Sequence, residues 1–142
     1  MKSKLKNITP LDKIVMVNPD LTTDPANMQG KIGKVTGLIS IDTVAVSFPN
    51  LGTHTYDTDA LATLIPRKDL IEMLQVNLDD MSAIEQKKIL EIIKASMDKN
   101  PVAALAKAME NETTRYYCTM SLVDWMALKR EQRDRKSQSP GL

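Results

Sequence analysis

The chain contains a single cysteine, Cys118, so no disulfide can form within it. A lone thiol fits a reducing compartment, and a cytoplasmic protein is expected. There is also a single histidine, His54. Zinc needs several His and Cys ligands at suitable spacing, which this supply excludes within one chain. Aromatic residues make up only 4% of the sequence, so the core must be aliphatic, with nine methionines helping to fill it. Charge of one sign is not in excess. A net charge of +1 gives no global field to steer the chain toward nucleic acid or an anionic membrane. No apolar run reaches about 18 residues, so no membrane span is expected. Lys2, Lys4 and Lys6 open the chain like a signal peptide, but Asn7, Thr9, Pro10 and Asp12 stand where its apolar stretch would be. Phosphate-loop, dinucleotide and nucleophile-elbow sequences are missing.

What is present divides into two halves with different composition. Apolar residues at 42% and charged residues at 26% are ordinary for a globular protein. Up to Pro66 there is no Arg and no Glu, and this stretch holds every glycine but Gly141. Beyond it lie every Arg and every Glu, with many Ala, Met, Leu and Ile. This shift predicts strands and turns before Pro66 and helices after it.

In the first half, residues 13–17 form a β-branched run that stops at Asn18-Pro19-Asp20. A long loop follows. Residues 32–41 are expected as a strand with Val35, Ile39 and Ile41 on one face, and Gly37 marks a bulge or bend. Asp42-Thr43 turns the chain. Val44, Val46 and Phe48 alternate with Ala45 and Ser47, the pattern of a half-buried strand. Pro49-Asn50-Leu51-Gly52 turns it back into residues 53–56. Residues 57–60 make a helical turn, and 61–65 a last strand. Together these are about five short strands. The string Gly33-Lys34-Val35-Thr36-Gly37, then Val44-Ala45-Val46-Ser47-Phe48, Gly52, Tyr56 and Leu61, resembles the pattern shared by SH3-like small barrels of the KOW and Mib-Herc2 types. The resemblance covers residues 11–66 and implies a five-stranded SH3-like β-barrel, without implying an activity.

In the second half, Leu70, Ile71, Met73 and Leu74 mark a short amphipathic helix. Ser82-Ala83-Ile84-Glu85 is a capping box that opens a longer one, with Ile89, Ile92, Ile93 and Met97 at helical spacing. Asn100-Pro101 supplies an N-cap and a first-turn proline for a third. Ser121 caps a last helix with Leu122, Trp125 and Met126 on one face. Residues 113–120 are readable either way. The expected class is α+β: a flexible arm at 1–10, the barrel at 11–66, a helical region of three to four helices at 67–136, and a disordered tail at 137–142.

The chemistry-bearing residues are few. Asn18, Asp20, Asp24, Asp57 and Asp59 can converge on one rim, but without EF-hand spacing, and turn-building is their expected role. A Cys118–His54 dyad would need the helices to bring them together, whereas Tyr116-Tyr117-Cys118 reads as packing. No catalytic residue, metal site, cofactor or small-molecule substrate is expected. The leading expectation is a non-enzymatic protein-interaction module, an adaptor or assembly subunit of bacterial or phage type that binds a protein partner or itself. His54, Tyr56 and Asp57 on the rim, and Trp125, Arg130 and Arg133 on the last helix, are its contact candidates. The loop 21–29 and the turn 49–53 are plausible contact surfaces. A second expectation is phosphate contact with nucleic acid through Lys31, Lys34, Arg67 and Lys68. A third is a hydrolase whose carboxylates carry no recognisable spacing.

Overall fold

A computed structural model describes residues 9–138, with side chains to residue 132. Residues 1–8 of the expected arm and 139–142 of the expected tail lie outside the described residues.

The strands form where the β-branched runs fall: β1 (Ile14–Val17), β2 (Ile32–Leu38), β3 (Thr43–Phe48), β4 (Gly52–Asp57) and β5 (Leu61–Leu64), with a 3-10 turn at Thr58–Ala60 before β5. A sixth, β6 (Thr119–Ser121), comes from the second half of the chain and pairs with β5. The order across the sheet is β4-β3-β2-β1-β5-β6, and every neighbouring pair is antiparallel. This corrects the five-stranded barrel. The sheet is open, with β4 and β6 as its two edges. The outer edge of β5 is taken by Thr119–Ser121, a segment whose sequence did not declare itself.

The glycines of the motif encode geometry. A Cβ on Gly33 would sit 2.7 Å from both Ser47 O and Val46 Cγ1, so β2 and β3 cross too closely for a side chain. The β2–β3 register shifts between Val35 and Gly37, the bulge that Gly37 announces. The expected strand over residues 32–41 is also too long. β2 ends at Leu38, and Ile39 and Ile41 are 60% and 80% exposed rather than inward.

The described residues form five α-helices, not three to four: α1 (Arg67–Asn77), α2 (Ala83–Met97), α3 (Pro101–Ala108), α4 (Glu112–Cys118) and α5 (Leu122–Gln138). The capping box is formed: Ser82 Oγ accepts from Glu85 N at 3.2 Å, and Glu85 Oε1 accepts from Ser82 N at 2.9 Å. Asn100 Oδ1 accepts from Ala103 N to start α3, and Ser121 Oγ accepts from Asp124 N to start α5. The extra helix, α4, is opened by Asn111, whose Oδ1 accepts from Thr114 N at 2.9 Å.

Three apolar clusters hold these elements. Val15, Val17, Val35, Val44, Val46, Phe48 and Leu61 line one face of the sheet, closed by Leu122 and Trp125 of α5 and by Met28 of the long loop. On the other face, Met16 packs with Leu105 and Met109 at α3. Leu70, Ile89, Ile92, Ala104 and Cys118 form the third cluster, among the helices. β1 is thus covered on both sides, which explains its unbroken apolar run. No helix among the described residues is long and apolar enough to cross a membrane.

Candidate functional site

A concave site lies where the long loop meets β4. Its anchor is Asp24. The carboxylate accepts from Ala26 N and Met28 N, each at 2.9 Å, which is the Asx geometry that folds a loop back on itself. The Tyr56 hydroxyl donates to Asp24 Oδ2 at 2.9 Å and ties this turn to the sheet. Leu21, Ala26 and Met28 then pack into the core beneath. At the far end, Thr43 Oγ1 donates weakly to Asp57 Oδ1 at 3.4 Å and to Asp42 Oδ1 at 3.3 Å.

The result is an open hollow of about 350 Å³ whose lining includes Leu21, Pro25, Tyr56 and the carboxylates of Asp24, Asp57 and Asp59, with no basic side chain in its wall. Desolvation by itself would raise the Asp24 carboxyl. The donors Met28 N, Tyr56 Oη and Ala26 N outweigh it, aided by nearby His54, and hold Asp24 below the ordinary carboxylate range. Burial and then the Asp24 charge push the Tyr56 phenol up, so it stays a donor at any physiological pH. Apolar surface from Leu21, Pro25 and Tyr56 beside the carboxylates suits a cationic side chain with an aliphatic stem.

The rim candidates fall close together. Tyr56 and Asp57 line the hollow. His54, on the same strand, has Nε2 3.0 Å from Leu51 O and its ring 6.0 Å from that of Phe48. The last-helix candidates separate. Trp125 is only 6% exposed and packs in the core instead of facing a partner. Arg130 is exposed, and the side chain of Arg133 lies outside the described residues. The four phosphate candidates sit on two different parts of the fold. Lys31 and Lys34 are exposed at β2, while Arg67 and Lys68 open α1, and β1 and β5 stand between β2 and the chain leading into α1. The Arg67 guanidinium donates to Ser96 O at 3.1 Å.

The Cys118–His54 dyad does not form. His54 is on the edge strand β4, and Cys118 immediately precedes β6 at the opposite edge. Cys118 is fully buried, and burial pushes its thiol up to about 12. Among the described residues, no group of three or more His, Cys, Asp or Glu side chains is placed to hold a metal ion.

Sequence reasoning passed over one residue, Lys13. Alternation along β1 puts Lys13, Val15 and Val17 on one face, so a lysine was predictable at the edge of the core. Its Nζ lies 4.7 Å from the centre of the Trp125 ring. No protein-family model, curated protein or solved structure matches this chain.

Proposed function

We propose that this chain is a non-enzymatic protein-interaction module, and that the hollow between the long loop and β4 receives a cationic, extended segment of a partner protein. The observation that carries the reading is the hollow's lining: three carboxylates, Asp24, Asp57 and Asp59, around the apolar surface of Leu21, Pro25 and Tyr56, with no lysine or arginine among them. Charge complementarity of this kind selects the partner and speeds its encounter. The position of β4 at the sheet edge supports an extended partner, because an edge strand offers backbone donors and acceptors to an added strand. The buried thiol supports a reducing compartment, and the cytoplasm is the proposed location.

An array of short peptides, screened against the labelled full-length protein, tests this. Lys- or Arg-bearing extended sequences should be retained. Their binding should weaken about tenfold in D57N/D59N and fall with rising salt. Retention of acidic peptides, or an unchanged profile in that variant, would refute the reading.

A further inference from the structure

The acidic hollow has a chemical match within the same chain. The sequence opens Met1-Lys2-Ser3-Lys4-Leu5-Lys6, with lysine at every second position, and residues 1–11 hold no Asp or Glu. Side chains alternate along an extended chain, so in that conformation Lys2, Lys4 and Lys6 share one face. Their charges complement Asp24, Asp57 and Asp59 in the hollow, and their aliphatic stems suit Leu21, Pro25 and Tyr56. Just past this segment the chain is fixed to β2. Lys13 N donates to Pro10 O at 3.0 Å, closing a turn, and Asp12 N donates to Val35 O at 2.8 Å. Val35 is opposite Val46 of β3, Val46 is opposite His54 of β4, and Asp57 follows on the same strand. Two strand spacings across the sheet and three residues along it put Asp57 about 14 Å from Val35. Residues 1–8 span up to about 26 Å when extended, so the lysines can reach the hollow of their own molecule.

We infer that the segment Lys2–Lys6 occupies the acidic hollow of its own molecule until a cationic partner displaces it. This occupancy rests on the proposed reading of the hollow as a cation-binding site. The tether favours the molecule's own segment over that of a second copy, because a short flexible linker holds its end at an effective concentration in roughly the millimolar range. The segment acts as a built-in competitor: weakly cationic sequences fail to displace it, and selectivity rises. It also serves the sheet. β4 is an edge strand, and an edge that pairs freely is an aggregation hazard, which a resident charged segment covers between partners.

Two full-length variants test this. K2Q/K4Q/K6Q discharges the segment. K87Q/K94Q/K107Q removes as many charges from exposed positions on α2 and α3 and controls for net charge. Thermal melts confirm that both are folded. With no ligand present, K2Q/K4Q/K6Q should differ from the wild type in amide shifts at residues 21–25 and 55–60, and the helix variant should not. The difference should persist on dilution and shrink as salt rises. A free peptide with the sequence of residues 2–6 should bind K2Q/K4Q/K6Q about fivefold more tightly than the wild type, with little change in the helix variant. Equal binding by the wild type and K2Q/K4Q/K6Q, with no amide difference between them, would overturn the self-occupancy and leave the hollow a cation site. A difference that fades on dilution would also overturn it, because the hollow would then hold the segment of a second copy. Failure of the peptide to bind either protein would sink the reading of the hollow itself, and self-occupancy with it.

Discussion

The Tyr56 hydroxyl donates to Asp24 Oδ2 at 2.9 Å, joining residues 32 positions apart in the chain. This bond fixes the long loop against β4 and so creates the acidic hollow. Tyr56→Phe should cost about 1 kcal/mol, the value of a part-exposed hydrogen bond to a charged acceptor. Amide exchange over residues 21–29 should rise along with it. A loop no more mobile than before would mean that apolar packing alone holds it.

The same carboxylate predicts an acid limb. Asp24 is held below its ordinary value in the folded state, so between the two values the unfolded chain binds more protons. Its contribution is complete above the unfolded value near pH 4 and is lost as pH falls through the folded one. Asp24→Asn should flatten the fall of the denaturant midpoint below about pH 4 relative to the wild type. Parallel curves for the two proteins would contradict this.

Lys13 predicts the opposite limb. Its folded value of about 8 is below its ordinary 10.5, so the folded form gives up the proton first and stability rises with pH between those two values. Lys13→Met should stabilise the protein at pH 7 by roughly 1–2 kcal/mol, allowing for the lost attraction to Trp125. That advantage should shrink by pH 10. Chemical denaturation at the two pH values measures it.

Backbone geometry gives a paired test at two glycines of one strand. Gly33→Ala drives a methyl group into Ser47 O and Val46 and should cost about 1–3 kcal/mol. Gly37→Ala meets only Ala45 Cβ, at an ordinary 3.6 Å, and should be tolerated. Thermal melts of the two variants should separate clearly.

Lys99 ends α2 in the left-handed region at φ 58°, where a glycine carries no Cβ penalty. Lys99→Gly should therefore raise stability by about 1 kcal/mol. A loss would mean that the Lys99 side chain makes contacts worth more than the relief of its backbone.

The sequence was most legible where one residue carries a local rule. Ser82 with Glu85, and Asn100 with Pro101, announced their helices because a cap is set within one turn. Gly37 announced its bulge for the same reason. What failed was non-local. The closed barrel was wrong because β6 is three residues with no period of their own, and only pairing with β5 makes them a strand. Ile39 and Ile41 were misplaced because β2 stops at Leu38, and residues 39–42 form an exposed turn into β3. Tyr56 and Asp57 were read as rim residues, and both line the hollow. Asp24 was read as a turn residue, which it is. Its bond to Tyr56 joins residues 32 positions apart and leaves no trace in local spacing. Trp125 was read as a contact candidate because one amphipathic helix turn does not say which surface it meets.

The acidic hollow is proposed to receive a cationic, extended segment. Amide shift mapping of the full-length protein, titrated with the best-retained basic peptide, tests this most directly. Saturable shifts are expected at residues 21–25 and 55–60 and along β4, abolished in D57N/D59N. Shifts centred on α1, α2 or α5, or a map unchanged by that variant, would contradict it.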